Sequence, residues 1–222
     1  MADHEIGSET LVKNVKITRG ENAEVDFEID ATEDDFIHDE LGNKIRFGDI
    51  YKRKKSIIIF VRHFLCFCAK DYVEDLRLVS EESLQKADVQ LVVIGCAPWE
   101  SIKRFRYDTG YKYELYCDPE RVIYKKLGYA EHNTIGYIKE SKHIKSGLMT
   151  GILKSTWRAM QARDWQGNPK QQGGSFVVKA GGEIIFSHID KAGSDHVAIN
   201  TLLKSAGVQE VSFPKDGRVI HL

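Results

Sequence analysis

The 222-residue sequence lacks a dominant charge, a cysteine framework and any long apolar run. Its formal net charge is -1, with lysine and arginine spread along the chain, so bulk charge directs it to neither nucleic acid nor anionic membrane. No stretch approaches the ~20 apolar residues that span a bilayer, so stable membrane insertion is not expected. The opening MADHEIGSET has no basic end followed by an apolar run, and no secretory leader is expected. Cysteine occurs only at Cys66, Cys68, Cys96 and Cys117, too few for a disulfide scaffold of this length. The expected setting is therefore the reducing cytoplasm, where a free thiol is either buried filler or a redox group. Internal repeats and low-complexity segments are also missing. What is present is a 42% hydrophobic fraction beside 29% charged residues, enough for a core that needs no disulfide or metal.

The first 25 residues are polar and read as an arm, with a short strand expected at Leu11 to Ile17. Residues 26–222 are expected to form a single domain. Asp34 to Phe47 alternates around Glu40-Leu41-Gly42-Asn43, a hairpin pattern. Ser56 to Val61 is a continuous β-branched run, the signature of a fully buried parallel strand. The period then becomes helical, with Ala69, Tyr72, Val73, Leu76 and Val79 on one stripe. A second buried strand is expected at Val89 to Gly95 and a helix from Pro98 to about Tyr107. A short strand at Glu114 to Cys117 precedes a helix starting at Asp118-Pro119 and capped by Gly128.

An insertion at about 134–172 carries a helical pattern through Met149, Ile152, Leu153, Trp157 and Met160. Strands at Ser175 to Val178 and Ile184 to Ser187 flank the turn signal Gly181-Gly182. Asp195 to Ala206 reads as a final helix, and the tail as a hairpin around Lys215-Asp216-Gly217. Strand–helix alternation followed by a hairpin and a helix specifies an α/β fold of thioredoxin type. Its mixed central sheet is flanked by helices, with an N-terminal hairpin and a helical insertion.

Reactive groups in open α/β sheets lie beyond the carboxyl ends of the strands. Cys66 and Cys68 occupy that place, after a buried strand and in the first turn of a helix. Free N–H groups and the helix dipole favour a thiolate there, and Arg62 and His63 add positive charge. More thiolate at neutral pH means a better nucleophile toward peroxides or disulfides. Two residues apart on a helix, the Cys68 side chain points to a different face from that of Cys66, so a Cys66–Cys68 disulfide would need non-helical backbone and would be strained. Cys96 also ends a core strand, as a partner for Cys66 or a small residue filling the strand end. Cys117 reads as filler.

The segments FVRHFLCFCAKDYVEDL, GYKYELYCDPERVIYKKLGY, WRAM and QQGGSFVV resemble the peroxiredoxin-like 2 family, 2C type, with its AhpC/TSA antioxidant-enzyme domain. The likeness runs from about Asp26 to the end. It implies a thioredoxin-like fold, an antioxidant or redox-regulatory role, and a small peroxide or thiol/disulfide substrate. It also implies an arginine that holds the thiolate, for which Arg158 is a candidate beside Arg62. The spelling departs from the family at the junction. A C-x-x-C pair would put its second cysteine at Ala69, whereas Cys68 comes one residue early. The peroxiredoxin pattern P-x-x-x-T-x-x-C is met in neither register. Where thioredoxins carry a cis-proline, this chain has Gly173-Gly174-Ser175, which permits close backbone approach without the cis bond.

The catalytic candidates are thus Cys66, Cys68, Arg62, His63 and Arg158. No cofactor or resident metal is expected. A weaker alternative is a zinc or copper(I) site at His63, Cys66 and Cys68, for which no second ligand cluster exists elsewhere. The other function class is a catalytically inactive interaction protein. Its partner surface would be the insertion, where Lys139, Lys142, Lys145, Lys154, Arg158 and Arg163 accompany Trp157 and Trp165.

Overall fold

The structure, a computed structural model, describes residues 29–132, 143–144 and 167–213. The expected arm strand, the inserted helix and the tail hairpin lie outside the described residues, as does Arg158. Among the described residues the chain runs β1 (Phe36–His38), β2 (Lys44–Arg46), α1 (Phe47–Tyr51), β3 (Lys55–Phe60), α2 (Phe67–Leu76) and α3 (Glu81–Lys86). It continues through β4 (Val89–Gly95), α4 (Ile102–Thr109), β5 (Glu114–Cys117), α5 (Val122–Lys126), β6 (Gly174–Val178), β7 (Ile184–Ile189) and α6 (Ile199–Ala206).

The strands form one sheet in the order β2-β1-β5-β4-β3-β6-β7. The β3–β4 and β4–β5 pairings are parallel, while the hairpins β1–β2 and β6–β7 attach antiparallel at opposite edges. This is the expected α/β, thioredoxin-like arrangement. Central β3 is buried on both faces, as its unbroken β-branched run predicts. Ile57, Ile59 and Val61 enter the core shared with α2, α4 and α6, whereas Ile58 and Phe60 enter the core under α1 and α5. The period-2 alternation of the pleat assigns each residue to its side.

Several boundaries differ from the pattern-based expectations. The helix expected at Asp118 starts at Val122, because Arg121 adopts a left-handed φ of 56°. Asp118 still caps it from outside, accepting the Val122 and Ile123 N–H groups at 3.0 and 2.9 Å. The final helix starts at Ile199 rather than Asp195, so residues 190–198 form a loop between β7 and α6. Helix α3 was not expected, although Ser80 is its N-cap and accepts the Ser83 N–H. Helix α2 stops at Leu76, yet Val79 remains buried beyond it.

Gly173 meets the expectation for the proline position. A Cβ there would lie 2.0 Å from the Phe60 carbonyl oxygen, so only glycine lets the β6 entry lie against the end of β3. No cis peptide bond occurs among the described residues.

Candidate active site

Strand β3 delivers Val61 and Arg62 to the carboxyl edge of the sheet, where the backbone turns and α2 begins at Phe67. The turn is fixed from below. The Val61 N–H donates to the Ile94 carbonyl at 2.9 Å, and Tyr124 Oη donates to the Val61 and Ile94 carbonyls at 2.7 and 2.9 Å. The Cys66 N–H closes the turn on the His63 carbonyl at 3.0 Å.

Cys66 is the N-cap residue of α2, with φ -65° and ψ 121°. That extended conformation takes Cys66 out of the helical spacing with Cys68, and the Cys68 thiol is its neighbour across the helix start. Non-helical backbone, the condition for bringing the two sulfurs together, is therefore met. The Cys66 side chain makes no close capping bond, but the Ala69 N–H of the first turn contributes to its stabilisation.

The Cys68 hydrogen bond is the largest influence holding the Cys66 thiol well below its ordinary range. Burial opposes the shift, and the Arg62 charge supports it. Cys68 moves the opposite way, because it supplies the proton of that hydrogen bond and is buried beside a forming thiolate. The pair thus has one thiolate and one donor, with Cys66 the anionic member.

Arg62 places Nη1 3.8 Å from Cys66 Sγ. Its other nitrogens are held by backbone carbonyls, Nε on Gln171 at 3.2 Å and Nη2 on Pro169 at 2.5 Å. The loop containing Gln171 thereby aims the guanidinium at the sulfur. Gln171 Nε2 is in turn held by the Gln172 carbonyl at 2.9 Å. His63 stands nearby, but burial lowers its pKa. Near neutral pH, Arg62 is accordingly the fixed cation of the two.

Cys66 and Cys68 are 5% and 4% exposed, so the pair is enclosed. Cys96 packs in the core on the opposite face of the sheet from Cys66. Its sulfur lies on the Arg62 carbonyl at 3.2 Å, and burial pushes its pKa up to about 11. Burial likewise raises the Cys117 thiol. All four cysteines are free and buried. Among the described residues, no group of three or more His, Cys, Asp or Glu is placed to hold a metal. No helix among them is long and apolar enough to cross a membrane.

One part of the site was not singled out in the sequence. Asp190, at the end of β7, is 2% exposed and contacts His196 Nδ1 at 2.9 Å. Both lie in the 190–198 loop that the sequence pattern assigned partly to helix. No motif spacing marks them.

Residues 75–192 match the family described as AhpC/TSA antioxidant enzyme. The chain is 43% identical over 186 residues to peroxiredoxin-like 2C of Mus musculus, covering 83% of this chain and 82% of that protein. The chain belongs to the peroxiredoxin-like 2C family. The Takifugu rubripes member is 39% identical over 203 residues, covering 89% of this chain and 90% of its own length. Among solved structures, peroxidoxin BcpB from Mycobacterium tuberculosis superposes with a TM-score of 0.51 at 11% identity. That alignment covers 78% of this chain and 90% of the other, and it shows a shared fold. Fold and family together make this peroxiredoxin-like chain a thioredoxin-fold, redox-related protein.

Proposed function

We propose that the protein is a thiol-based antioxidant in which Cys66 is the nucleophile and a small hydroperoxide the substrate. The observation that carries this reading is the N-cap placement of Cys66, two residues before Cys68, with Arg62 Nη1 3.8 Å from its sulfur. The enclosure of the pair suits a small reactant better than a folded protein disulfide. Four buried free thiols suit a reducing compartment such as the cytoplasm.

In the reaction, the Cys66 thiolate attacks the terminal peroxide oxygen and the O–O bond breaks. The sulfur becomes a sulfenic acid, and the other oxygen leaves as water or an alcohol once it gains a proton. Arg62 holds the sulfur as anion before attack and faces the charge that moves onto oxygen during it.

The test is the pH dependence of Cys66 alkylation and its rate with hydrogen peroxide. Cys66→Ser identifies the reacting thiol. The expected pKa lies below the ordinary value of about 8.5. Cys68→Ala removes the donor, and loss of one charge-assisted hydrogen bond of about 1.5–3 kcal/mol raises the Cys66 pKa by roughly 1–2 pH units. Cys68→Ser keeps an O–H donor and shows the smaller change. A Cys66 pKa near 8.5 and a peroxide rate no faster than that of a free thiol refute the reading.

A further inference from the structure

The loop between β7 and α6 lies against Arg62 and Tyr72, the neighbours of the cysteine pair. At one end, Gly193 lies against Arg62: a Cβ on Gly193 would come within 2.1 Å of Arg62 Nη1, the nitrogen that faces Cys66. Toward the other end, Tyr72 of α2 donates its hydroxyl to the Val197 carbonyl at 2.8 Å. Its ring packs on the His196 imidazole with centroids 4.8 Å apart. Helical side chains lean toward the preceding turn, so Tyr72 covers the Cys68-Ala69 turn. His196 is therefore held over the start of α2, between the contacts to Arg62 and Tyr72.

The imidazole is built as half of a dyad. His196 Nδ1 lies 2.9 Å from Asp190 Oδ2, and the two side chains are 3% and 2% exposed. Asp190 is anchored, its N–H donating to the Gly173 carbonyl at 3.1 Å. The carboxylate fixes the ring orientation and favours the imidazolium. The remaining nitrogen, His196 Nε2, is buried and has no hydrogen-bond partner among the described residues. A buried N–H without a partner is costly in a native core, and a catalytic role is one reason a native protein keeps one.

We propose that the Asp190–His196 dyad is the general acid of the thiol site, with His196 Nε2 delivering the proton that the leaving oxygen of a hydroperoxide requires. This inference rests on the reading of Cys66 as nucleophile. Protonated His196, Cys66 thiolate and ROOH give Cys66 sulfenic acid, ROH and neutral His196. The S–O bond forms as the O–O bond breaks, sulfur is oxidised and the peroxide reduced. Asp190 is a positioning residue, since it acts through the imidazole.

The electrostatics agree with this arrangement. Burial pushes the His196 pKa down, but the Asp190 carboxylate outweighs it and the net shift is upward. The Cys66 charge adds to the rise, and Arg62 opposes it. His188, 3.5 Å from the other Asp190 oxygen, Asp195 beside His188, and the exposed Lys191 are the other titratable groups on the loop side. Tyr72 faces the ring from α2. Reactivity with alkyl hydroperoxides should accordingly rise as pH climbs through the Cys66 pKa and fall as it passes the His196 pKa.

The experiment compares three reagents on the wild-type protein, His196→Asn and Asp190→Asn. tert-Butyl hydroperoxide needs a proton on its leaving alkoxide. Peracetic acid releases acetate and does not, and iodoacetamide reports the thiolate alone. The expected result for His196→Asn is a loss of about 10²–10⁴-fold with tert-butyl hydroperoxide. Measured above the Cys66 midpoint of both proteins, where the thiolate is fully formed, alkylation and the peracetic acid rate should stay close to wild type. Asp190→Asn should move the high-pH limb to lower pH. An equal loss with all three reagents assigns His196 a structural role and overturns the proposal. Undiminished tert-butyl hydroperoxide reduction in His196→Asn overturns it as well, leaving the Cys66 reading intact. Wild-type protein no faster than a free thiol with both oxidants overturns the Cys66 reading first, and the dyad's role with it.

Discussion

Gly193 is not a catalytic group, yet its missing side chain decides where Arg62 sits. A methyl at Gly193 would lie 2.1 Å from Nη1 and 2.9 Å from the guanidinium carbon. Those atoms are the far end of a flexible side chain, so Gly193→Ala should fold. It should do so by displacing the guanidinium from Cys66. At the observed 3.8 Å, the ion pair is worth about 4.4 kcal/mol with an effective dielectric of about 20. At roughly 6 Å the same expression gives about 2.8 kcal/mol. The difference of about 1.6 kcal/mol stabilises only the thiolate, so it raises the Cys66 pKa by roughly one unit.

The assay is the rate of iodoacetamide alkylation of Cys66 against pH, alongside Arg62→Ala. The midpoint should move upward in Gly193→Ala by about one unit, and by more in Arg62→Ala, which removes the charge. The urea midpoint of Gly193→Ala should stay close to wild type. An unmoved titration in Gly193→Ala beside a shifted one in Arg62→Ala refutes the steric argument. A titration unmoved in both refutes the assignment of Arg62 as the holding cation.

His143 contacts Asp75 of α2 at 2.9 Å through Nδ1 and accepts the Ile199 N–H of α6 at 3.1 Å through Nε2. His143→Ala should cost about 1–3 kcal/mol, since the buried Ile199 N–H loses its acceptor, and an unchanged urea midpoint would contradict this. The Cys66 thiolate also links pH to stability. Its folded pKa lies below the unfolded value, so its stabilisation is complete above about pH 8.5 and is lost as pH falls through the folded pKa. The stability difference between wild type and Cys66→Ser should shrink on acidification, and a difference constant with pH counts against the lowered pKa. Mild oxidation followed by peptide mass spectrometry should find any intramolecular disulfide of Cys66 with Cys68 rather than Cys96, which packs on the other face of the sheet. A Cys66–Cys96 product as the main species would contradict the static arrangement.

Most of the architecture was legible because it depends on local patterns that tolerate small errors. The β-branched run before Arg62 marks a strand buried on both faces, and turn chemistry marks both hairpins. The Asp118 helix start was misplaced because the cap acts across a left-handed Arg121 instead of from the adjacent position. The last four residues of the 190–198 loop read as helix because Val197 and Ile199 continue the apolar pattern. What that pattern missed is the competing demand of Asp190 and His196, which contact each other across six residues in a non-helical segment. Arg62 and Cys66 were legible as neighbours because four residues of chain bind them together. The backbone carbonyls that aim Arg62 come from Pro169 and Gln171, more than a hundred residues away, and no local signal points to them.

The relation between Cys66 and Cys68 shows where a periodicity argument stops. A helical wheel separates them because it assumes that both residues are helical. The N-cap is the position at which that assumption fails, since its ψ is extended while its carbonyl already accepts the first helical bond, here from the Lys70 N–H at 3.0 Å. With ψ at 121°, Cys66 leaves the wheel, and the Cys68 thiol becomes the largest influence lowering its pKa. Moving the second cysteine to the place of Ala69 would give the thioredoxin-like spacing on this same backbone. The Cys68→Ala, Ala69→Cys double variant therefore separates spacing from environment. Arg62 and the helix start are unchanged in it, so the Cys66 pKa should stay below the ordinary range if a cysteine at either position donates to the thiolate. A return of that pKa to about 8.5 would show that the two-residue spacing itself supplies the donor geometry.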